Sequence, residues 1–396
     1  MSSDALPSEL YVPEFAPEWD RHQLHSLAKW VNGMAFKNID FSPSGTPVVK
    51  IAEIKNGVSS QTKFTRATYD PKYFLRDGDM LFCWSGQPET SIDTYWWRGG
   101  DGWLNQHIFK VQPKPSDVDV DFFFQLLRYL RPSFVRIARN KQTTGLGHVT
   151  KSDLERLTVG IPARAEQLAI ARLLGALDDK IESNRRLVGL IPQVIRARVD
   201  AALTDNSEKA TVSSLARFVN GGAYTKGATG TGRMVLRIAE LNSGPGGSTV
   251  YNDLEVSEDK IARAGDILMA WSGSLGVYRW FRDEAIINQH IFKVIPTNYP
   301  AWLVFDRLEA VMPVFRGVAA DKATTMGHIQ RGHLEITEVD MPGEAEIEHL
   351  DRTVAPLWDR LLLAERENIK LTALRDALLP ELLSGRIRVP AEGVAA

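Results

Sequence analysis

Hydrophobic positions along this chain follow two different periods, and the change from one to the other happens twice. Short apolar runs bounded by turn residues come first. Val48-Val49-Lys50-Ile51, Met80-Leu81-Phe82-Cys83-Trp84 and Ile108-Phe109-Lys110-Val111 predict buried strands. Ser42 to Pro47 and Asp77-Gly78-Asp79 supply turns ahead of the first two. Phe122 to Leu130 has helical spacing and is expected to pack on the sheet. The period then lengthens. Ile170, Leu174, Leu177, Ile181, Asn184, Val188, Ile191 and Ile195 fall at alternating steps of four and three, the a/d seam of a coiled coil. After a second set of short runs, Ile347, Leu350, Val354, Leu357, Leu361, Ala364, Asn368, Leu371, Arg375 and Leu378 make a similar seam with one charged position. Pro192 and Pro380 are expected to kink or end these helices, and Pro356 to kink the second or delay its start. Each seam holds one asparagine, Asn184 and Asn368. A lone polar residue there lowers stability but can fix register.

The double pattern is a repeat of sequence as well as of period. Asn105-Gln106-His107-Ile108-Phe109-Lys110-Val111 returns letter for letter as Asn288-Gln289-His290-Ile291-Phe292-Lys293-Val294. In the same order, Leu27-Ala28-Lys29-Trp30-Val31-Asn32-Gly33 answers Leu215-Ala216-Arg217-Phe218-Val219-Asn220-Gly221, and Trp84-Ser85-Gly86 answers Trp271-Ser272-Gly273. Gly147-His148-Val149 answers Gly327-His328-Ile329, and the Asp77-Gly78-Asp79 turn answers Ala264-Gly265-Asp266. The copies are far too long for a solenoid repeat. The expected fold is α/β, in the mixed α+β sense: two related domains separated by two long antiparallel coiled-coil helices. Residues 1–22 form a lead-in and 23–162 the first domain. A central helical region covers 163–209, the second domain 210–343, and a distal helical region 344–396.

Composition changes this picture little. The chain of 396 residues is 44% hydrophobic and 24% charged, ordinary for a globular protein. No apolar run is long enough for a bilayer and the N-terminal stretch is polar, so a cytoplasmic protein is expected. One cysteine, Cys83, excludes an intramolecular disulfide and any multi-cysteine zinc site. The net charge of -2 argues mildly against nucleic acid. The first copy, His25 to Arg156, carries 18 Lys/Arg against 13 Asp/Glu; the second, Val212 to Ala345, carries 13 against 15. Neither is polybasic, so any DNA grip must come from local distribution or from a more basic partner.

The repeat also serves as a control on candidate chemistry. Cys83 is answered by Ala270, which reads against a nucleophile. His107 and His290, and His148 and His328, recur without a neighbouring acid or thiol, which favours a structural role. Phosphate-loop, zinc-protease and nucleophile-elbow motifs are absent, as are carboxylate clusters for Mg²⁺. The positive signs are polar loops. Ser85 and Gln87 follow one Trp-bearing strand; Ser272 and Ser274 follow the other. Lys141, Thr143 and Thr144, with Arg136 and Arg139 upstream, are answered by Lys322, Thr324 and Thr325. Lysine beside paired hydroxyls suits phosphate, and amide or guanidinium groups on such loops suit base edges. The bland alternative is a turn packed on its sheet.

The order of elements resembles the specificity subunit of type I restriction–modification systems over essentially the whole chain. The likeness is carried by Pro17-Glu18-Trp19, Ile161-Pro162, Glu166-Gln167-Leu168-Ala169-Ile170-Ala171, Leu177-Asp178-Asp179-Lys180-Ile181 and the closing Leu378-Leu379-Pro380-Glu381-Leu382-Leu383-Ser384-Gly385-Arg386-Ile387. The first helix lacks such a closing string, reading Val194 to Val199 there, and the second opens with Glu346-Ile347-Glu348-His349. The resemblance implies two recognition domains, each reading half of a split double-stranded DNA target, and helices that dock two methyltransferase subunits, to which restriction subunits can join. It also implies a chain without catalytic activity that binds no cofactor. S-adenosylmethionine, ATP and Mg²⁺ are expected on the partners. The close likeness of the copies predicts related half-sites. A protein-binding scaffold, or a nuclease or methyltransferase fused to its reader, are the rival readings.

Overall fold

Each apolar run that reads as a strand is apolar because both of its faces are covered. The computed structural model describes residues 13–142, 145–205, 207–321 and 327–390. The chain divides into two units, one formed by residues 1–179 and 372–396, the other by 180–371.

In the first unit, Ala28–Asn32, Ile108–Pro113, Met80–Cys83 and Asp93–Trp96 lie in that order in an antiparallel sheet. A second sheet orders Phe64–Thr65, Thr46–Val49, Gly102–Leu104 and Phe74–Leu75, with its middle pair parallel. Side chains alternate along a strand, and Met80–Cys83 uses both sides. Met80 and Phe82 join the core under helices Val120–Tyr129 and Arg131–Asn140, where Phe122, Phe123 and Phe134 are fully buried. Leu81 and Cys83 face the other way, into a smaller core with Val49, Leu75 and Leu104.

The second unit repeats this plan. Ala216–Asn220, Ile291–Pro296, Ile267–Ala270 and Gly276–Arg279 form its antiparallel sheet. Ile267 and Met269 face the large core, while Leu268 faces the small one. One difference stands out. A single helix, Ala301–Asp321, runs through Pro313 where the first unit has two helices that meet at Leu130, just before Pro132.

The strand expectations hold to within a residue or two, except that Ile51 opens a short helix, Ile51–Asn56. The expected helix over Phe122–Leu130 is Val120–Tyr129. None of the three prolines ends its helix where it stands. The central helix runs Arg164–Ala202 with Pro192 inside it, and the final helix runs Glu344–Leu383 through Pro356 and Pro380. Pro356 therefore delays nothing: the helix begins twelve residues before it. A proline deep in a long helix removes one hydrogen bond, which the packed seam on either side outweighs.

Within each unit the two long helices run antiparallel. In the first, Ile170 and Leu174 share a core with Leu382 and Leu383. Asp178 accepts hydrogen bonds from Arg128 (2.8 Å), Gln125 (2.9 Å) and Arg375 (3.1 Å), which accounts for the charged seam position. Farther along, Arg388 grips Glu166 through two nitrogens (2.5 and 2.7 Å). Gly385, at φ +79°, ends the closing string against Ala16 and Trp19, where a Cβ would come within 2.6 Å of Ala16. In the second unit, Ile191, Ile195 and Val199 pack with Leu350, Val354 and Leu361.

The two seam asparagines differ. Asn184 is fully buried; its amide donates to Glu367 (2.8 Å) and its oxygen accepts from Arg360 (3.1 Å) and Lys180 (3.4 Å). The side-chain oxygen of Asn368 is buried without a partner. No helix among the described residues is long and apolar enough to cross a membrane.

A satisfied polar group in a seam still gives up apolar burial. Asn184→Leu should therefore raise the thermal stability of the chain, by about 1 kcal/mol or less, in a denaturant or calorimetric melt. A clear loss of stability would show that the Asn184–Glu367 contact contributes net folding energy.

Candidate nucleic-acid interface

The residues that the two copies share build a bracket that holds loops. In the first unit Gly33 touches the backbone of Asn105 so closely that a Cβ would lie 2.0 Å from its carbonyl oxygen. Gly221 meets Asn288 the same way, at 2.2 Å. Only glycine allows this approach. It sets Asn32 where its side-chain oxygen accepts from Trp84 Nε1 (2.9 Å), as Asn220 accepts from Trp271 Nε1 (2.9 Å). The Trp84 ring lies 5.8 Å from His107 and the Trp271 ring 5.3 Å from His290. Gln106 and His107, and Gln289 and His290, are in turn side-chain partners, at 3.1 and 3.2 Å.

Lys110 and Lys293, the cations of the shared heptapeptide, point into the fold. Lys110 Nζ donates to Asp79 (2.7 Å) and to the Phe74 carbonyl (3.0 Å). Lys293 Nζ lies 2.8 Å from Asp266 and donates to the Ile261 carbonyl (2.7 Å). Each lysine thus staples its strand to the Gly78 or Gly265 turn, whose positive φ requires glycine.

Two loops leave each bracket together. Val149 N donates to the Trp84 carbonyl, Ile329 N to the Trp271 carbonyl. Ser85 and Gly86 pair antiparallel with His148 and Gly147, and Ser272 bridges to His328. The residues after the tryptophan and the Gly-His pair are therefore neighbours in both units. The tryptophans themselves are half-buried brackets whose indole nitrogens are satisfied.

The predicted site residues separate into three groups. Gln87 and Ser274 are exposed at the tips of the post-tryptophan loops. Ser85 is half-buried, and Ser272 is buried at 7% exposure, which puts both in the bracket itself. Arg139, on the helix Arg131–Asn140, pairs with Glu89 of the short helix Pro88–Ser91, and Arg136, exposed on the same helix as Arg139, is also engaged. Thr143, Thr144, Lys322, Thr324 and Thr325 lie outside the described residues.

Lys141 departs from the expectation of a phosphate contact. Its ammonium donates to both oxygens of Asp153 (2.6 Å each) and reaches Thr150 Oγ1 (3.4 Å). Asp153 also caps the helix Lys151–Arg156 through Thr150. Burial alone would raise the Asp153 carboxyl, but the hydrogen bonds from Lys141 and Thr150 outweigh it and hold the group below its usual range. The partner stands twelve residues beyond the lysine, in a helix cap that the Lys-x-Thr-Thr pattern does not reveal. Cys83 is fully buried and its thiol is pushed up to about 12 by burial, so no thiolate is present at neutral pH. Among the described residues no group of His, Cys, Asp and Glu is arranged to hold a metal ion.

Two outcomes follow from these contacts. Lys141→Ala should lower stability by about 1 kcal/mol, a charged hydrogen bond discounted for the solvent that reaches the lysine. Because the folded-state carboxyl of Asp153 is held low, its contribution is complete above the unfolded value near ~4 and is lost as pH falls through the folded one. The gap between wild type and variant in thermal melts should therefore close in acid; a gap that widens there would refute the pairing. Cys83 should react with a soluble thiol reagent only as fast as the protein opens, so rapid labelling of the native chain would contradict its burial.

Comparison with known proteins places this arrangement. A family model described as the type I restriction modification DNA specificity domain matches residues 17–191. The chain is similar to the EcoBI specificity subunit of Escherichia coli, 24% identical over 188 residues, which are 47% of this chain and 38% of that protein. It is similar to the MjaVIII specificity subunit of Methanocaldococcus jannaschii, 26% identical over 174 residues, 43% of this chain and again 38% of the relative. The match thus spans well under half the length of these curated relatives. Among solved structures, the type I restriction–modification S subunit from M. genitalium superposes with a TM-score of 0.62 at 14% identity, covering 94% of this chain and 98% of that one. At that identity the likeness is one of fold.

Proposed function

We propose that the chain is a specificity subunit of the type I restriction–modification kind, to whose DNA specificity domain residues 17–191 are matched, and that each of its two units reads one half of a split sequence in double-stranded DNA. The observation that carries this reading is the repeated bracket with unlike loops. Shared residues (Gly33 and Gly221, Trp84 and Trp271, Lys110 and Lys293) are all turned inward to contacts within their own unit. Ser-Gly-Gln-Pro after one tryptophan and Ser-Gly-Ser-Leu after the other leave the same position with different side chains. A protein that recognises two parts of one target needs this combination: common support, separate vocabulary.

In this reading the exposed Gln87 presents its paired donor and acceptor to a base edge, and Ser274 does so more weakly in the other unit. Arg136, Arg139, Thr143, Thr144, Thr324 and Thr325 contact the phosphate backbone. The long helices dock two methyltransferase subunits, which bring S-adenosylmethionine, and restriction subunits with ATP and Mg²⁺ join that complex. The chain itself supplies recognition and no chemistry, and it works in the cytoplasm. With a net charge of -2, bulk affinity for phosphate must come largely from the partners.

Methylome mapping of cells carrying the chain with its methyltransferase should return one motif in two related parts separated by several unspecified base pairs. A continuous motif, or none, would overturn the reading and favour a protein-binding scaffold. Within that motif, Gln87→Ala should relax one position of one half-site, a loss of about 1–3 kcal/mol of discrimination. The other half should be untouched. Methylation assays on duplexes substituted base by base would show it, and equal relaxation of both halves would exclude a direct contact.

A further inference from the structure

The second unit carries a cleft that the bracket does not account for. It has a volume of about 710 Å³ and lies between the glycine-rich turn at Gly244-Pro245, the Phe281-Arg282 segment and the outer face of the final helix at Arg366, Ile369 and Lys370. Its charge is unbalanced. Among the described residues neither Arg282, Arg366 nor Lys370 has a carboxylate partner, and Arg233 is tied only to a neutral acceptor, the Leu254 carbonyl (2.8 Å). Of the two acids on the rim, Glu284 already pairs with Arg263 (2.7 Å), which leaves Asp283 alone against four cations.

Arg366 and Lys370 are four apart on one helix, so their side chains are neighbours. Like charges at that spacing weaken a helix, and no carboxylate among the described residues pairs with them. Glu365 and Glu367, the acids flanking Arg366, are engaged elsewhere: Glu365 with Arg279 and Glu367 with Lys180 and Asn184. The corresponding pair on the central helix is different, because Arg186 is paired with Glu182 (3.3 Å) and the place of Lys370 is taken by Leu190. Opposite the helix, Arg282 lies over the Phe281 ring, 5.2 Å from its centre. Its guanidinium also comes within 2.8 Å of where a Cβ on Gly244 would stand, so glycine at φ +72° leaves it room. Tyr251, the one aromatic residue among the exposed large hydrophobic side chains described, lines the same cleft. Unpaired cations beside the exposed Tyr251 and the half-buried Phe281 suit a phosphodiester backbone and its sugars.

We propose that this cleft binds DNA backbone phosphates, so that Arg366 and Lys370 make the final helix a DNA-contacting element of the second unit in addition to its part in the seam. The proposal rests on the functional reading above, and adds to it a sequence-independent anchor within the second unit. It also gives a chain with no net positive charge a local phosphate grip of its own.

The test uses the full chain and labelled duplexes, one bearing the mapped motif and one unrelated, with binding followed by anisotropy over a range of salt. Arg366→Ala and Lys370→Ala should weaken both duplexes by similar factors. Each should also make the log–log salt slope shallower by about 0.9. Lys370→Glu should go further, weakening DNA while raising the melting temperature, because it replaces repulsion along the helix by attraction. That opposition separates a lost contact from a damaged fold. Unchanged affinity and slope in variants that fold, with wild type binding normally, would overturn the phosphate site and leave the functional reading intact. Loss of methyltransferase association with DNA binding unchanged would overturn it in favour of an acidic protein surface as occupant. Failure of the wild type to prefer the mapped motif, with or without its methyltransferase, would count against the functional reading itself.

Discussion

A strand buried on both faces has no polar side with which to meet water, so everything functional must be pushed to its ends. Met80–Cys83 and Ile267–Ala270 are such strands, each wedged between a large core under helices and a small core against a second sheet. Their flanks are then fixed by a few strong contacts: a lysine ion-paired to the turn before, a tryptophan hydrogen-bonded to asparagine after. The loops that differ between the units begin where this rigid stretch stops. Precision at the loops is inherited from the strand, and the residues that confer it are those the two copies cannot change.

This explains which parts of the molecule were legible in the sequence. Residues shared by the copies announced the bracket, and the seams announced the long helices almost residue by residue, including Asn184 at a fully buried position. What escaped was any contact whose partner lies outside the repeated strings. Lys141 looked like a phosphate ligand because its neighbours are hydroxyls, but Asp153 holds it. Arg375 looked like a flaw in the seam, but Asp178, reached also by Arg128, makes it an ion-paired position. Pro356 looked like a barrier, because a local rule about proline says nothing of how much packing stands on either side. The cations of the cleft were visible as letters. Arg366 and Lys370 are a repulsive pair in an otherwise well-matched helix, and that local conflict was the available signal.

The two units solve one packing problem with different polar devices. In the first, Asp178 gathers Arg128, Gln125 and Arg375 at the helix pair. In the second, Arg279 is buried on the Trp358 ring, 4.5 Å from its centre, and is neutralised by Glu365. Burial pushes the Glu365 carboxyl up, whereas Asp153 of the first unit is held down by its donors. Related sheets thus rest on unrelated charge arrangements, which leaves the bracket free to stay constant while its support drifts.

The first unit keeps two places open for residues that arrive only after the second unit. Leu382 and Leu383 belong to the same core as Phe122 and Leu174, and Gly385 and Arg388 close against Trp19 and Glu166. During synthesis from the N-terminus, that core waits with an uncovered apolar groove while the whole second unit is made. Closure then depends on contacts more than two hundred residues apart in the chain, the slowest kind to form. A protein stalled before its final helix would therefore present a sticky, unfinished first unit rather than a finished half, and quality control in the cell would meet it as a misfolded chain.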